Sequence, residues 1–265
     1  MVSTTWALCA VRLHAPSLRR RTRAVTAPHH LGRDAVAPAC LARDTGPMDE
    51  CCSAPTPDGY EQEFDARFAR KLAREYRRHG LTPTARRIVD FAGSNDLHGA
   101  TVLEIGGGIG DIQLELLLRG ASRTTNLELS GAYEAEAIRL LDEKGLQGRA
   151  ARVVGVDLAL SPDAVEPADI VVLNRVVCCY PDYDALLTAA ARHARRAVVF
   201  SHPPRTWFTR ALLWADNLMY RVTRNPYRGF VHPPESMIDV LARHGFTPRY
   251  RHRDRVWSIV GAVRA

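Results

Sequence analysis

Between Thr101 and Asp111 the chain reads Thr-Val-Leu-Glu-Ile-Gly-Gly-Gly-Ile-Gly-Asp, and few folds can use such a segment. Thr101 to Ile105 is a short apolar run of strand-forming residues, and a helix-compatible stretch resumes at Asp111. Between them lie Gly106, Gly107, Gly108 and Gly110. A bend so poor in side chains turns tightly and lets a ligand approach the backbone closely. Its spacing is Gly-x-Gly-x-Gly, with Glu104 two positions before the first glycine. Dinucleotide-binding turns prefer Gly-x-Gly-x-x-Gly, with a pyrophosphate on the following helix N-terminus. This bend departs from that pattern.

The rest of the chain supplies the context that the bend requires. Strands are expected at 101–105, 123–129, 151–156, 169–173 and 197–201, with helices at 111–119, 133–144 and 183–193 between them. Such alternation predicts an α/β fold, a mostly parallel sheet with helices on both faces. A helix at 234–244, closed by Gly245, leads to strands at 247–252 and 256–263 with only a short turn between them. That ending predicts an antiparallel hairpin and a seven-stranded sheet, unlike a dinucleotide dehydrogenase. Upstream, Phe64, Phe68, Leu72 and Tyr76 recur every fourth residue and predict one helix over 60–79, stopped by Gly80. A second helix over 83–92 turns Ile88, Val89 and Phe91 inward.

Charge bears on the class of partner. The net charge is +7, but residues 1–47 hold seven Arg and two Asp, so the remainder is near balance. That weighs against a nucleic-acid footprint on the folded part. Residues 1–47 read as a disordered tail, an Arg-rich targeting peptide, or an overlong start ahead of Met48-Asp49-Glu50. No apolar run reaches the roughly 18 residues of a membrane span. Residues 48–98 form an N-terminal helical segment expected to cover the site, and residues 99–265 form the main domain.

The bend and its acidic partners resemble motif I of class I S-adenosylmethionine-dependent methyltransferases, over roughly residues 60–265. The resemblance implies a Rossmann-like fold and S-adenosylmethionine as cofactor. S-adenosylmethionine has no phosphate, so the helix need not carry that anion. A carboxylate at Glu104 suits the cationic amino group of its methionine part. The family's acidic residue at the end of the second strand, which holds the ribose hydroxyls, matches Glu128, followed by Leu129. A carboxylate accepts from two vicinal hydroxyls. The family's Asp near the adenine amino group matches Asp157, followed by Leu158.

The acceptor is expected beyond the fourth strand, at Leu173-Asn174-Arg175-Val176-Val177-Cys178-Cys179-Tyr180-Pro181. Asn174 is a cofactor candidate, and Arg175, Cys179, Tyr180, Arg205 and Tyr227 are acceptor-side candidates. The segment lacks the Asn-Pro-Pro-Tyr of base and glutamine N-methyltransferases. His202, directly after the fifth strand, is the first choice for a general base, and His232 the second. An insertion at 203–233 carrying Phe208, Leu212, Leu213, Trp214, Leu218 and Met219 is expected to act as an apolar lid. From the fourth strand onward the chain is loosely similar to magnesium-protoporphyrin O-methyltransferases. Cys179 stands where that family often has His, so the porphyrin substrate does not follow.

Six cysteines include the adjacent pairs Cys51-Cys52 and Cys178-Cys179. Their spacing is not that of a secreted disulfide framework and suits a reducing, cytoplasmic compartment. Four thiols drawn together would suit a soft metal or metalloid, although small buried side chains are the simpler reading and no metal is expected. The reading is therefore an enzyme methylating a small molecule. A thiol, metalloid or carboxylate acceptor stands as an alternative, and a non-catalytic cofactor-binding module as another. The oligomeric state is not legible.

Overall fold

A computed structural model of the protein describes residues 57–265. Seven strands form one sheet: β1 (Thr101–Ile105), β2 (Arg123–Glu128), β3 (Ala150–Val154), β4 (Ala168–Leu173), β5 (Ala194–His202), β6 (Phe246–Arg253) and β7 (Ser258–Arg264). Their order is β3-β2-β1-β4-β5-β7-β6. The first five strands pair in parallel, and β7 runs antiparallel to both β5 and β6. This is the Rossmann-like sheet with an antiparallel ending that the sequence predicts. The order reverses direction between β1 and β4, and such a switch point opens a crevice at the carboxyl ends of the strands.

Alternating side chains build a core on each face of the sheet. Val102, Ile170, Val172, Val199 and Ile259 pack under Ile88 and Val89 of α3 (Pro83–Gly93) and Ile112 of α4 (Asp111–Leu118). Leu103, Val171, Leu173, Val198 and Phe200 meet Leu187 of α6 (Tyr183–His193) and Leu241 of α8 (Pro234–Arg243) on the opposite face. A third cluster joins Phe64, Phe68, Leu72 and Tyr76 to Leu114 of α4 and Leu141 of α5 (Glu134–Lys144).

Several boundaries differ from the expected ones, each for a local reason. The single helix predicted over 60–79 is two, α1 (Pro57–Glu63) and α2 (Ala66–His79). Asp65 is extended at ψ 170° and its carboxylate accepts from Phe68 N at 2.8 Å, an N-cap that ends one helix and starts the next. β3 stops at Val154 rather than 156 because Gly155 turns to φ 76°. β5 begins three residues earlier than expected, and β7 starts at Ser258 rather than 256.

The insertion folds as α7 (Trp207–Val222), capped by Thr206 Oγ1, which accepts from Thr209 N. Of the six apolar residues expected to wall the site, only Leu213 is buried, while Phe208, Trp214, Leu218 and Met219 are exposed. Most of this apolar face therefore points away from the domain. Among the described residues no helix is long and apolar enough to cross a membrane.

Candidate active site

The glycine bend lies at the switch point, against three strands. Gly106, Gly108 and Gly110 have φ of 64°, 53° and 74°, a region costly for any residue with a Cβ. Space excludes side chains as well. A Cβ on Gly106 would stand 2.6 Å from Val176 Cγ2, and one on Gly107 would stand 2.2 Å from Asn126 Nδ2 and 2.5 Å from Glu104 Cδ. One backbone and one side-chain acceptor on β2 fix the bend: Gly106 N donates to Leu127 O at 2.7 Å, and Gly108 N donates to Glu128 Oε2 at 2.8 Å. Arg152 of β3 holds it from the side, donating from Nη2 to Gly108 O at 2.8 Å while paired with Glu134 at 2.7 Å.

Three carboxylates gather at this bend. Glu104 is buried, and its Oε2 accepts from Gln113 N at 3.1 Å and Asn126 Nδ2 at 3.4 Å. Burial pushes its pKa well above the carboxylate range, and the charges of Asp111 and Glu128 push the same way against Arg152. Asp111 is raised chiefly by burial. Glu128 is also raised by burial, although Ser130 N and Gly108 N donate to it at 2.9 and 2.8 Å. Beside them the Asn126 side-chain oxygen is buried without a donor. Burial outweighs the opposing charges of Arg152 and Arg175 at these carboxylates.

The exit of β4 is held by side chains from β5. Ser201 Oγ donates to Asn174 Oδ1 at 3.0 Å and accepts from Arg175 N at 2.8 Å. These bonds support Arg175 at φ 62°, a strained backbone for a residue with a side chain. Its guanidinium carbon lies 5.1 Å from the centre of the Trp257 ring. The Arg175 Nε and the Trp257 indole nitrogen are both buried without an acceptor.

The remaining candidates fall into distinct surroundings. Asp157 accepts from Ala159 N at 2.9 Å and from the Tyr180 hydroxyl at 3.0 Å, so the two are joined; Leu158 is buried and Leu129 half-buried. Cys179 is buried, its Sγ accepting from the Tyr227 hydroxyl at 3.0 Å and its carbonyl from the Tyr60 hydroxyl at 2.8 Å. Tyr227 meets Phe64 edge-on at 5.5 Å, which seats α1 and its following turn on this cluster. The Cys178 and Cys179 sulfurs stand 3.7 Å apart, beyond disulfide length. Arg205 is exposed.

The two histidines differ. His202 Nδ1 faces its neighbour Pro203 O at 2.9 Å, so the neutral ring carries its proton there and leaves Nε2 as a lone pair. Burial lowers its pKa, and His232 and Arg253 add to the shift against the Pro203 carbonyl. His232 Nε2 donates to Tyr180 O at 2.9 Å. Burial lowers its pKa too, while the carbonyls of Tyr180 and Val177 oppose that.

Arg152, Asn126, Asp111, Ser201 and Trp257 complete these contacts and were not singled out by the sequence. Asn126 left no clear signal, since its strand, Arg-Thr-Thr-Asn-Leu-Glu, is polar along most of its length. Arg152 left none, since its contact with Gly108 spans 44 positions of chain. Among the described residues no group of three or more His, Cys, Asp or Glu is placed to hold a metal, and Cys51 and Cys52 lie outside those residues.

A glycine cradle at the switch point of such a sheet defines a Rossmann-like ligand-binding domain. The family model for a methyltransferase domain matches residues 71–250. The chain belongs to that family, and is a class I S-adenosylmethionine-dependent methyltransferase. No curated protein matches it significantly in sequence. Among solved structures, it is similar to magnesium protoporphyrin IX methyltransferase from Synechocystis PCC 6803 with bound SAH, at 21% identity and TM-score 0.57, covering 77% of this chain and 87% of that one. An O-methyltransferase family protein from Burkholderia thailandensis aligns at 18% identity and TM-score 0.59, covering 79% and 64%. A geranyl diphosphate methyltransferase in complex with GPP and sinefungin aligns at 14% and TM-score 0.54, covering 68% and 76%. At these identities the likeness speaks for the fold.

Proposed function

We propose that the protein methylates a small-molecule acceptor, holding S-adenosylmethionine at the glycine bend and the acceptor beyond β4. The observation that carries this reading is the set of three carboxylates, Glu104 and Glu128 buried and Asp111 half-buried, whose pKa burial raises, around a bend where Gly106 and Gly107 admit no side chain. A ligand with a cationic amino group and sulfonium offsets that charge, and Gly106, Gly107, Gly108 and Gly110 leave it room. In this reading Glu104 takes the amino group and Glu128 the ribose hydroxyls, both oxygens retaining lone pairs beyond their backbone donors. Leu129, Asp157 and Leu158 border the adenosine, and Asn174 lies beside the donor.

Bound there, S-adenosylmethionine supplies a methyl group on a sulfonium leaving group. The protein's own task is positioning and exclusion of water. Arg175, Cys179, Tyr180 and Tyr227 border the acceptor, with Arg205 at the outer edge. His202 takes the acceptor's proton on Nε2, because burial keeps the ring neutral and Pro203 fixes the tautomer. His232, its Nε2 already donating to Tyr180 O, serves better to position Tyr180 than to accept a proton. The near-balanced charge of residues 48–265 supports a small molecule over nucleic acid, and the cysteine pattern supports a cytoplasmic site of action.

A carboxylate acceptor is a second reading, favoured by Arg175 Nε and the Trp257 indole nitrogen, two neighbouring buried donors without an acceptor. A carboxylate needs no base, so His202 would then be dispensable. Incubation with methyl-labelled cofactor and a cell metabolite extract, followed by mass identification of the product, tests both readings. A labelled small molecule is expected. Label confined to nucleic acid or protein, or no label, contradicts the proposal.

A further inference from the structure

The outward face of α7 has the composition of a core. Thr209, Leu213, Asp216, Asn217 and Tyr220 are buried or half-buried, a stripe at helical spacing that faces the domain. Asn217 fastens it, donating to Gly229 O and accepting from Gly229 N at 2.9 Å each. The opposite side carries Trp207 at 81% exposure, Phe208 at 61%, Trp214 at 68%, Leu218 at 46%, Met219 at 61% and Val222 at 73%. Amphipathic helices of soluble domains ordinarily turn the apolar face to the core. Here polar Thr209, Asp216 and Asn217 face inward while both tryptophans face out. Contiguous exposure of large apolar groups on this scale marks an interaction surface.

Charge narrows the occupant. Residues 205–228 contain five arginines (205, 210, 221, 224 and 228) and one aspartate (216). A second copy would bring the same excess of positive charge against itself. Residues 1–47, with seven Arg and two Asp, carry the same sign and are a poor match for the same reason. An apolar face with indole rings, bordered by arginines, matches a surface with an apolar interior and anionic headgroups. Tryptophan settles at the headgroup level, and Arg guanidinium groups pair with phosphates.

We propose that α7 docks the protein on an anionic lipid surface, lying in the interface with Trp207, Trp214 and Leu218 inserted and the exposed Arg210 and Arg224 at the phosphates. The helix lies on the bilayer without crossing it. This surface is independent of the acceptor's identity, because it lies opposite the side of α7 that meets the domain.

The test is co-sedimentation of the full chain with phosphatidylcholine vesicles, with and without phosphatidylglycerol, read together with tryptophan emission. Binding and a blue shift are expected only with the anionic lipid, and both weaken at high salt. The double variant Trp207→Ser/Trp214→Ser is expected to lower the partition coefficient at least about ten-fold. Arg210→Glu/Arg224→Glu is expected to abolish the preference for anionic lipid. Affinity for S-adenosylhomocysteine is expected to be unchanged in both. Absence of binding by the parent chain overturns the proposal. So does equal binding by the tryptophan variant, which would move the contact elsewhere. A dimer abolished by Trp207→Ser/Trp214→Ser, with no vesicle binding, would assign the face to a second copy and also overturn it.

Discussion

The backbone N–H of Gly108 donates to Oε2 of Glu128 across 2.8 Å, so the bend after β1 and the acidic end of β2 form one unit. Ser130 N holds the other oxygen at 2.9 Å. The carboxylate is thereby oriented before any ligand arrives, which reduces the ordering cost of binding.

Replacing Glu128 tests that unit. Glu128→Ala leaves the Gly108 and Ser130 amides without acceptors and removes the proposed ribose contact. Hydrogen bonds to a charged group contribute about 1.5–3 kcal/mol each. Affinity for S-adenosylhomocysteine is expected to fall at least about 100-fold by calorimetry. Unchanged affinity in a folded variant would remove Glu128 from the site.

Glu104 should trade stability for binding. Its pKa is raised on folding, so the native state holds a proton more tightly than the unfolded chain. Its contribution is therefore most favourable below the unfolded carboxylate value and is lost as pH rises through the higher folded value. Glu104→Gln removes that penalty. The ligand-free variant is expected to gain Tm at pH 8 and little at pH 5, while losing affinity for the cofactor. Equal Tm differences at both pH values would show that Glu104 is not held as described.

Arg152 is the lateral support of the bend. Arg152→Met deletes the bond to Gly108 O and leaves Glu134 without its 2.7 Å partner. We expect a loss of about 1–3 kcal/mol in chemical denaturation, and a rise in KM for the cofactor larger than the fall in kcat. A kcat effect alone would place Arg152 in the chemistry rather than under the bend.

The sheet and the bend were legible in the sequence because strand alternation and glycine turns are local. Thr101 to Ile105 and Gly106 to Gly110 needed no knowledge of distant residues. The break at Asp65 was not legible, since the spacing of Phe64, Phe68, Leu72 and Tyr76 continues through it and only the cap reveals the stop. The face of α7 was hidden for a different reason. Periodicity shows that a helix has an apolar side but not what that side meets. Likewise the left-handed Arg175 depends on Ser201, a strand away, and such support leaves no trace in neighbouring letters.

His202 supplies a pH test. Burial lowers its pKa from the usual 6.5, so the neutral ring persists below that value. With His202 as base, the acid limb of kcat is expected to have its midpoint below the usual histidine value of 6.5. His202→Gln should lose that acid limb along with most of kcat. The same shift means that the unfolded state takes up a proton before the native state does. Native stability should therefore decline as pH drops below 6.5. An unaltered pH profile in His202→Gln would favour an acceptor that needs no base.

The most direct measurement is calorimetric titration of S-adenosylhomocysteine into the parent protein and into Gly107→Val, with circular dichroism to establish that both are folded. A Cβ at position 107 would enter the space of Asn126 and Glu104. Saturable one-site binding by the parent and none by the variant is the predicted result. No binding by the parent, or equal binding by both folded proteins, would contradict the assignment of the glycine bend as the cofactor cradle.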